Sequence, residues 1–217
     1  MMISAHKRFF EAGGLVKHFL KIMVFGTACL FGWSSCPPIA AQELTRYVYN
    51  ARGEVVRVET PAANTDYSYD DAANRELVRQ RPLFPTSWQA TSLPHSLGYA
   101  EAGGWAANVT NGTGYMTYGP YAQLAAGSYT ATWRAMVDVV NAGNDDVITI
   151  EVYDATAGQF LAQATLKRSR FAADLVYQVF ELPFSISAAR AGHAIEMRTF
   201  YHSKSYTRIE KIGYHSS

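Results

Sequence analysis

The sequence predicts an all-β protein, an antiparallel β-sandwich preceded by a short β-hairpin repeat segment. Three observations carry this. Strand-like runs recur at short, regular spacing with turn residues between them. No stretch holds a long 3.6-residue hydrophobic period. The composition of the 217 residues is rich in Tyr (14) and Gly (16) and low in charge (17%), which favours strands and turns over long helices.

The clearest single element follows the turn Leu124-Ala125-Ala126-Gly127. Tyr129, Ala131, Trp133, Ala135 and Val137 fall on one face, and Thr130, Thr132, Arg134, Met136 and Asp138 on the other. Period two in a segment rich in Thr, Tyr and Trp describes a half-buried strand, with Trp133 in the core. Gly114 to Leu124 reads as its hairpin partner. Val147 to Asp154 alternates with Ile148, Ile150 and Val152 inward. A short strand at Trp105 to Val109, with Phe160 to Leu166, Leu175 to Phe184, His193 to Tyr201 and Tyr206 to Tyr214, completes the set. Residues 187–191 suit one helical turn.

Residues 1–41 read as a secretory signal. Lys7, Arg8, Lys17 and Lys21 make a basic start, Ile22 to Trp33 an apolar run, and Ile39-Ala40-Ala41 a small-residue cleavage site. The apolar run is shorter than the ~20 residues a membrane span needs. Lipid attachment at Cys36 is the other processing route, and retention as an anchor a third. The expected location is therefore secreted, periplasmic or extracellular, with no membrane span in the mature chain. Both cysteines, Cys29 and Cys36, fall in the leader, so the mature chain has no disulfide and relies on core burial.

Residues 42–81 hold a repeat. Arg46-Tyr47-Val48-Tyr49-Asn50-Ala51-Arg52-Gly53 is echoed by Asp66-Tyr67-Ser68-Tyr69-Asp70-Asp71-Ala72-Ala73-Asn74-Arg75 at an offset of roughly 20 residues. Tyr-x-Tyr puts two rings on one strand face. Asn or Asp opens a turn, and Gly53 or Asn74 suits the left-handed position. These two copies resemble the YD repeats of Rhs-type cell-surface proteins. Two copies are too few for the closed shell that many repeats build in that family. Residues 82–94, with Pro82, Pro85 and Pro94, read as an extended linker.

Residues 95–217 carry a second resemblance. His95-x-x-Gly98, Gly104-Trp105-x-Ala107, Tyr118-Gly119-Pro120-Tyr121 and Leu124-x-x-Gly127-x-Tyr129 are followed by Ile195-Glu196-Met197-Arg198 and Ile209-Glu210-x-Ile212. This order resembles a galactose-binding-like jelly roll, similar to the family 6 and family 35 carbohydrate-binding modules. The resemblance implies a non-catalytic carbohydrate-binding domain with no cofactor; a structural calcium, common in such modules, is the alternative, with Glu210 as the late carboxylate and Glu101 the early candidate. It also implies a glycan cleft fed by the loop from Tyr201 to Tyr206.

Sugar binding asks for an exposed aromatic ring and a few fixed polar groups. Trp105, in a Gly-rich loop, is read either as that platform or as a cap over the sandwich end. Tyr201, His202 and Tyr206 are read as contacts or as a plain hairpin. Arg198 is read as a hydroxyl-binding guanidinium or as the ion-pair partner of Glu196, two residues away on the same face. Tyr118 and Tyr121 read as turn residues. The basic run Lys167-Arg168-Ser169-Arg170 is read as a solvated loop or an anion contact.

Other chemistry lacks support. There is no Gly-x-Ser-x-Gly elbow and no His-Glu-x-x-His pattern. A net charge of +1 recruits no nucleic acid. The expected partner is a carbohydrate and the expected state a monomer. The alternative is a structural or protein-interaction module from an Rhs-type surface protein, contacting another cell-surface protein; a third is a hydrolase, for which the scattered carboxylates give no positive signal of the required pair.

Overall fold

The computed structural model describes residues 18–22 and 42–217, with side chains from residue 45 onward. Both cysteines and the expected cleavage site after Ala41 lie outside the described residues. The chain divides into two compact units, residues 1–82 and 83–217. Among the described residues, no helix is long and apolar enough to cross a membrane.

The first unit is an antiparallel meander of β1 (His18–Ile22), β2 (Gln42–Tyr49), β3 (Val55–Glu59), β4 (Ala63–Tyr69) and β5 (Arg75–Pro82), each paired with the next. The sequence repeat becomes two hairpins with the same turn. Asn50 Oδ1 accepts from the backbone N–H of Arg52 and Glu54. Twenty residues on, Asp70 Oδ1 accepts from Ala72 and Asn74. An acceptor oxygen folding back on its own backbone is why Asn and Asp serve interchangeably there. The left-handed residue is Gly53 (φ 83°) in the first turn and Ala73 (φ 65°) in the second, not Asn74. Asn74 instead donates its side-chain amide to Asp70.

The second unit is a two-sheet sandwich. Its strands are β6 (Thr86–Gln89), β7 (Tyr99–Glu101), β8 (Gly104–Ala107), β9 (Gly114–Thr117), β10 (Pro120–Gln123), β11 (Gly127–Val137), β12 (Asp146–Asp154), β13 (Gln159–Lys167), β14 (Val176–Ile186), β15 (Ala194–Tyr201) and β16 (Thr207–Ser216). One sheet runs β14-β11-β16-β8-β7, with β6 on the later half of β16. The other runs β10-β15-β12-β13, with β9 also on β15. Ala131, Trp133, Ala135 and Val137 from the first meet Ile148, Ile150, Val152, Ile195 and Met197 from the second in one core. Trp133 has no exposed surface. Residues 188–190 form a single 3-10 turn.

Two expectations are corrected. Residues 82–94 are not a linker: Thr86–Gln89 pairs with β16, and Leu83 and Leu93 are buried. Apolar Leu83, Trp88 and Leu93 between the prolines supply the burial that a solvated connector lacks. Residues 114–124 do not form a hairpin with β11. They make two short strands on β15, and the turn at 124–127 crosses from one sheet to the other. The break between the short strands is Tyr118-Gly119-Pro120, where the Gly119–Pro120 peptide is cis and Gly119 (φ 91°) and Tyr121 (φ 64°) are left-handed. Proline cannot donate to a ladder, so a strand gives way there.

Candidate functional site

The break between β9 and β10 shapes the site. Side chains alternate along β15: Ile195, Met197 and Tyr201 enter the core, while Glu196, Arg198 and Phe200 face outward. Because the bent segment 118–121 stands beside β15, the outward side chains near it are covered. The result is a cleft of about 280 Å³ lined by Ser96, Tyr115, Tyr118, Tyr121, Glu196 and Arg198. Ser96 is fixed by its backbone N–H donating to the Tyr115 carbonyl, and Tyr118 by its N–H donating to Pro94.

The floor is ionic. The Arg198 Nε donates to Glu196, which is 3% exposed. The guanidinium carbon lies 3.5 Å from the centre of the Tyr153 ring and 5.4 Å from that of Tyr115. Burial works against the charge on Arg198, but the bonds to Glu196 and Tyr115 more than offset it and hold the group protonated. Glu151, opposite Arg198 on β12, accepts from the Tyr115 hydroxyl at 3.3 Å. Burial pushes its carboxyl above the usual range. Tyr121 is 46% exposed, and its phenol is raised chiefly by its hydrogen bond to Glu196. The wall is therefore an exposed ring and the floor a set of immobilised polar groups.

The residues expected from sequence are not brought together. Arg198 lines the cleft and is also the partner of Glu196, so both readings of it meet in one geometry. His202 lies farther along the outer face of the same sheet, where its Nε2 shares a hydrogen bond with Thr149 at 2.8 Å and its ring meets Phe200 edge-on. Tyr201 points the other way. It has no exposed surface, its hydroxyl donates to the Ser205 carbonyl, and burial pushes its phenol up to about 12. Tyr201 is thus a core residue and no ligand contact.

Trp105 lines no part of the cleft. Its Nε1 donates to the Leu97 carbonyl at 2.8 Å, and the His95 ring stacks on it with centroids 3.4 Å apart. The ring is half-buried against the core, which is the capping arrangement. Burial lowers the His95 imidazole from its ordinary value, so a neutral ring covers the indole. Tyr206 donates its hydroxyl to Glu101 at 2.5 Å, and burial and that carboxylate raise its phenol.

The carboxylates expected to hold calcium are already engaged by cations. Glu210 accepts from Arg134 Nη1, and Glu101 pairs with Arg208 at 3.3 Å. Among the described residues no group of three or more His, Cys, Asp or Glu converges on one point. The basic run is likewise internal in part: Arg168 is 4% exposed and donates to Asp138, the Val139 carbonyl and the Lys204 carbonyl.

Sequence reasoning missed Tyr115 and set aside Tyr118 and Tyr121 as turn residues. The available signal was Tyr-Gly-Pro-Tyr itself. A turn that interrupts a strand leaves its flanking rings beside a sheet face rather than within the ladder.

No family model matches the chain, and no curated protein matches it. Among solved structures, a cyclase from Fischerella sp. TAU, in complex with 4-(1H-indol-3-yl)butan-2-one, is similar at 9% identity with a TM-score of 0.32, over 85% of this chain and 80% of that one. A likeness that slight bears on neither mechanism nor ligand.

Proposed function

We propose that the cleft between the 118–121 segment and β15 binds carbohydrate reversibly and without catalysis, in a protein that works outside the cytoplasm. The observation that supports this best is the pairing of an exposed Tyr121 ring with the fixed Glu196–Arg198 floor. An apolar sugar face lies on the ring, and sugar hydroxyls accept hydrogen bonds from the Arg198 guanidinium, which its bond to Glu196 already holds in place at little further cost in ordering entropy. The test is calorimetric titration with a panel of neutral oligosaccharides against the wild type and Tyr121→Ala. Losing one ring contact of ~1.5–3 kcal/mol weakens affinity roughly 10- to 100-fold, while the melting temperature stays within ~2 °C because the ring is half exposed. Equal affinity for the variant refutes this site.

Hydrolysis is a second reading with one observation in its favour. Glu151 and Glu196 stand diagonally on paired strands, Glu151 opposite Arg198 and Glu196 opposite Tyr153. Such diagonal neighbours are about 7 Å apart, within the range used by paired acid and base groups, and burial raises the carboxyl of Glu151. Binding is preferred because both carboxylates are covered, at 6% and 3% exposure. Release of reducing ends from the bound oligosaccharide, abolished by Glu151→Gln, decides for hydrolysis.

A further inference from the structure

The cleft is one end of a longer surface. Antiparallel pairing brings the outer side chains of three strands into rows. Arg198 on β15 stands opposite Glu151 on β12, which stands opposite Gln163 on β13. In the next row Glu196 stands opposite Tyr153, and Tyr153 opposite Phe160. Tyr153 and Phe160 meet edge-on at 5.1 Å, and Phe160 is 51% exposed. Gln163 and Thr165 on the same face of β13 are exposed as well. The face thus has an exposed aromatic ring at each end, Tyr121 and Phe160, with hydrogen-bonding groups between.

Distance and charge select the occupant. Three strand steps, from β10 through β15 and β12 to β13, span about 14 Å at ~4.8 Å per step. One sugar ring cannot touch both aromatic ends. Arg198 is already neutralised by Glu196 and stands opposite Glu151, so a carboxylated chain crossing here gains no unpaired cation from it. Gln163 and Thr165 offer uncharged donors and acceptors.

We infer that the ligand is an uncharged chain of several sugar units that enters at the Tyr121 cleft and runs across β15, β12 and β13 to Phe160 and Gln163. This rests on the carbohydrate reading of the cleft and adds length and charge to it.

The test is calorimetry on the full chain with di-, tetra- and hexasaccharides of β-1,4-glucan, β-1,4-xylan and β-1,4-mannan, and with oligogalacturonate as the acidic probe. One neutral series binds, and affinity rises at least about tenfold from disaccharide to tetrasaccharide, about 1.4 kcal/mol. Phe160→Ala with Gln163→Ala erases that rise and leaves disaccharide affinity within about twofold. Both side chains are exposed, so the variant folds, and an unchanged melting temperature checks this. Equal affinity for di- and hexasaccharide, with Tyr121→Ala still weakening both at least about tenfold, overturns the chain inference and leaves the binding site standing. Tightest binding of oligogalacturonate overturns the uncharged ligand. Binding of no saccharide overturns this inference and the carbohydrate reading together.

Discussion

Replacing Arg198 with Met removes the cation from the floor of the cleft while keeping most of the side-chain volume. Glu196 then remains 3% exposed with its ionic partner gone, and Glu151 loses the guanidinium opposite it. Breaking a buried pair from one side costs ~3–5 kcal/mol. The Arg198 side chain is 17% exposed, so the lower end applies, about 3 kcal/mol. At roughly 2–4 °C per kcal/mol for a chain of this size, the melting temperature falls by about 10 °C at neutral pH. Scanning calorimetry measures it. The double variant Arg198→Met with Glu196→Gln removes both charges and recovers more than half of the loss, because an absent pair is far less costly than a broken one. Glycan affinity is lost in both variants, which separates binding from stability. A drop under 2 °C for the single variant, or simple additivity in the double, refutes the assignment of a buried, mutually dependent pair.

Trp105→Ala lowers stability by ~2–3 kcal/mol, below the range for a fully buried Trp because the ring is only half-buried, and leaves oligosaccharide affinity within about twofold. Denaturant melts and titration together check this, and loss of binding with unchanged stability reverses the assignment of Trp105 as a cap. Glu151→Gln acts with a defined pH dependence. Burial raises the folded-state pKa of Glu151, so its ionisation opposes folding, and the stability held by the protonated form is lost as pH rises through that pKa. The variant is therefore more stable than wild type at neutral pH, and the gain disappears as pH falls below the unfolded carboxylate value. A gain that persists at low pH contradicts the cause. At Gly104 (φ 152°) a Cβ would sit 2.1 Å from the Ile209 carbonyl oxygen, so Gly104→Ala breaks the β8–β16 pairing and prevents folding. Gly192→Ala, with nothing within 4 Å, pays only for its positive φ, ~1 kcal/mol. Similar expression and melting of the two variants would contradict this.

The architecture was legible where one residue type determines one face. The alternation around Trp133 and along Ile148-Thr149-Ile150-Glu151-Val152 fixed two strands and their inward faces, because a half-buried sheet tolerates only one register. The Asn50 and Asp70 turns were legible because a short side-chain acceptor can satisfy its own backbone. Connectivity was less so. Tyr115 to Gln123 has strand composition throughout, but it is split around Gly119 and Pro120 into two short strands on β15, and the chain changes sheet only at the turn before β11. The site was partly legible for the same reason. Arg198 and Glu196 share a face by period two, which sequence shows. The three tyrosines gather above them through pairings between distant strands, which spacing along the chain does not encode. Tyr201 fell to the opposite face because a loop boundary drawn one residue early turns a core ring into an apparent contact.

The most direct test of the cleft is an amide-resonance titration of the isotopically labelled protein with whichever neutral oligosaccharide of the panel binds tightest. Shifts concentrated at Tyr115, Tyr118, Tyr121, Glu196 and Arg198, trailing off toward Gln163, are the predicted result. Shifts concentrated instead at residues 101–105 and 203–206, or no shift with any saccharide, would contradict it.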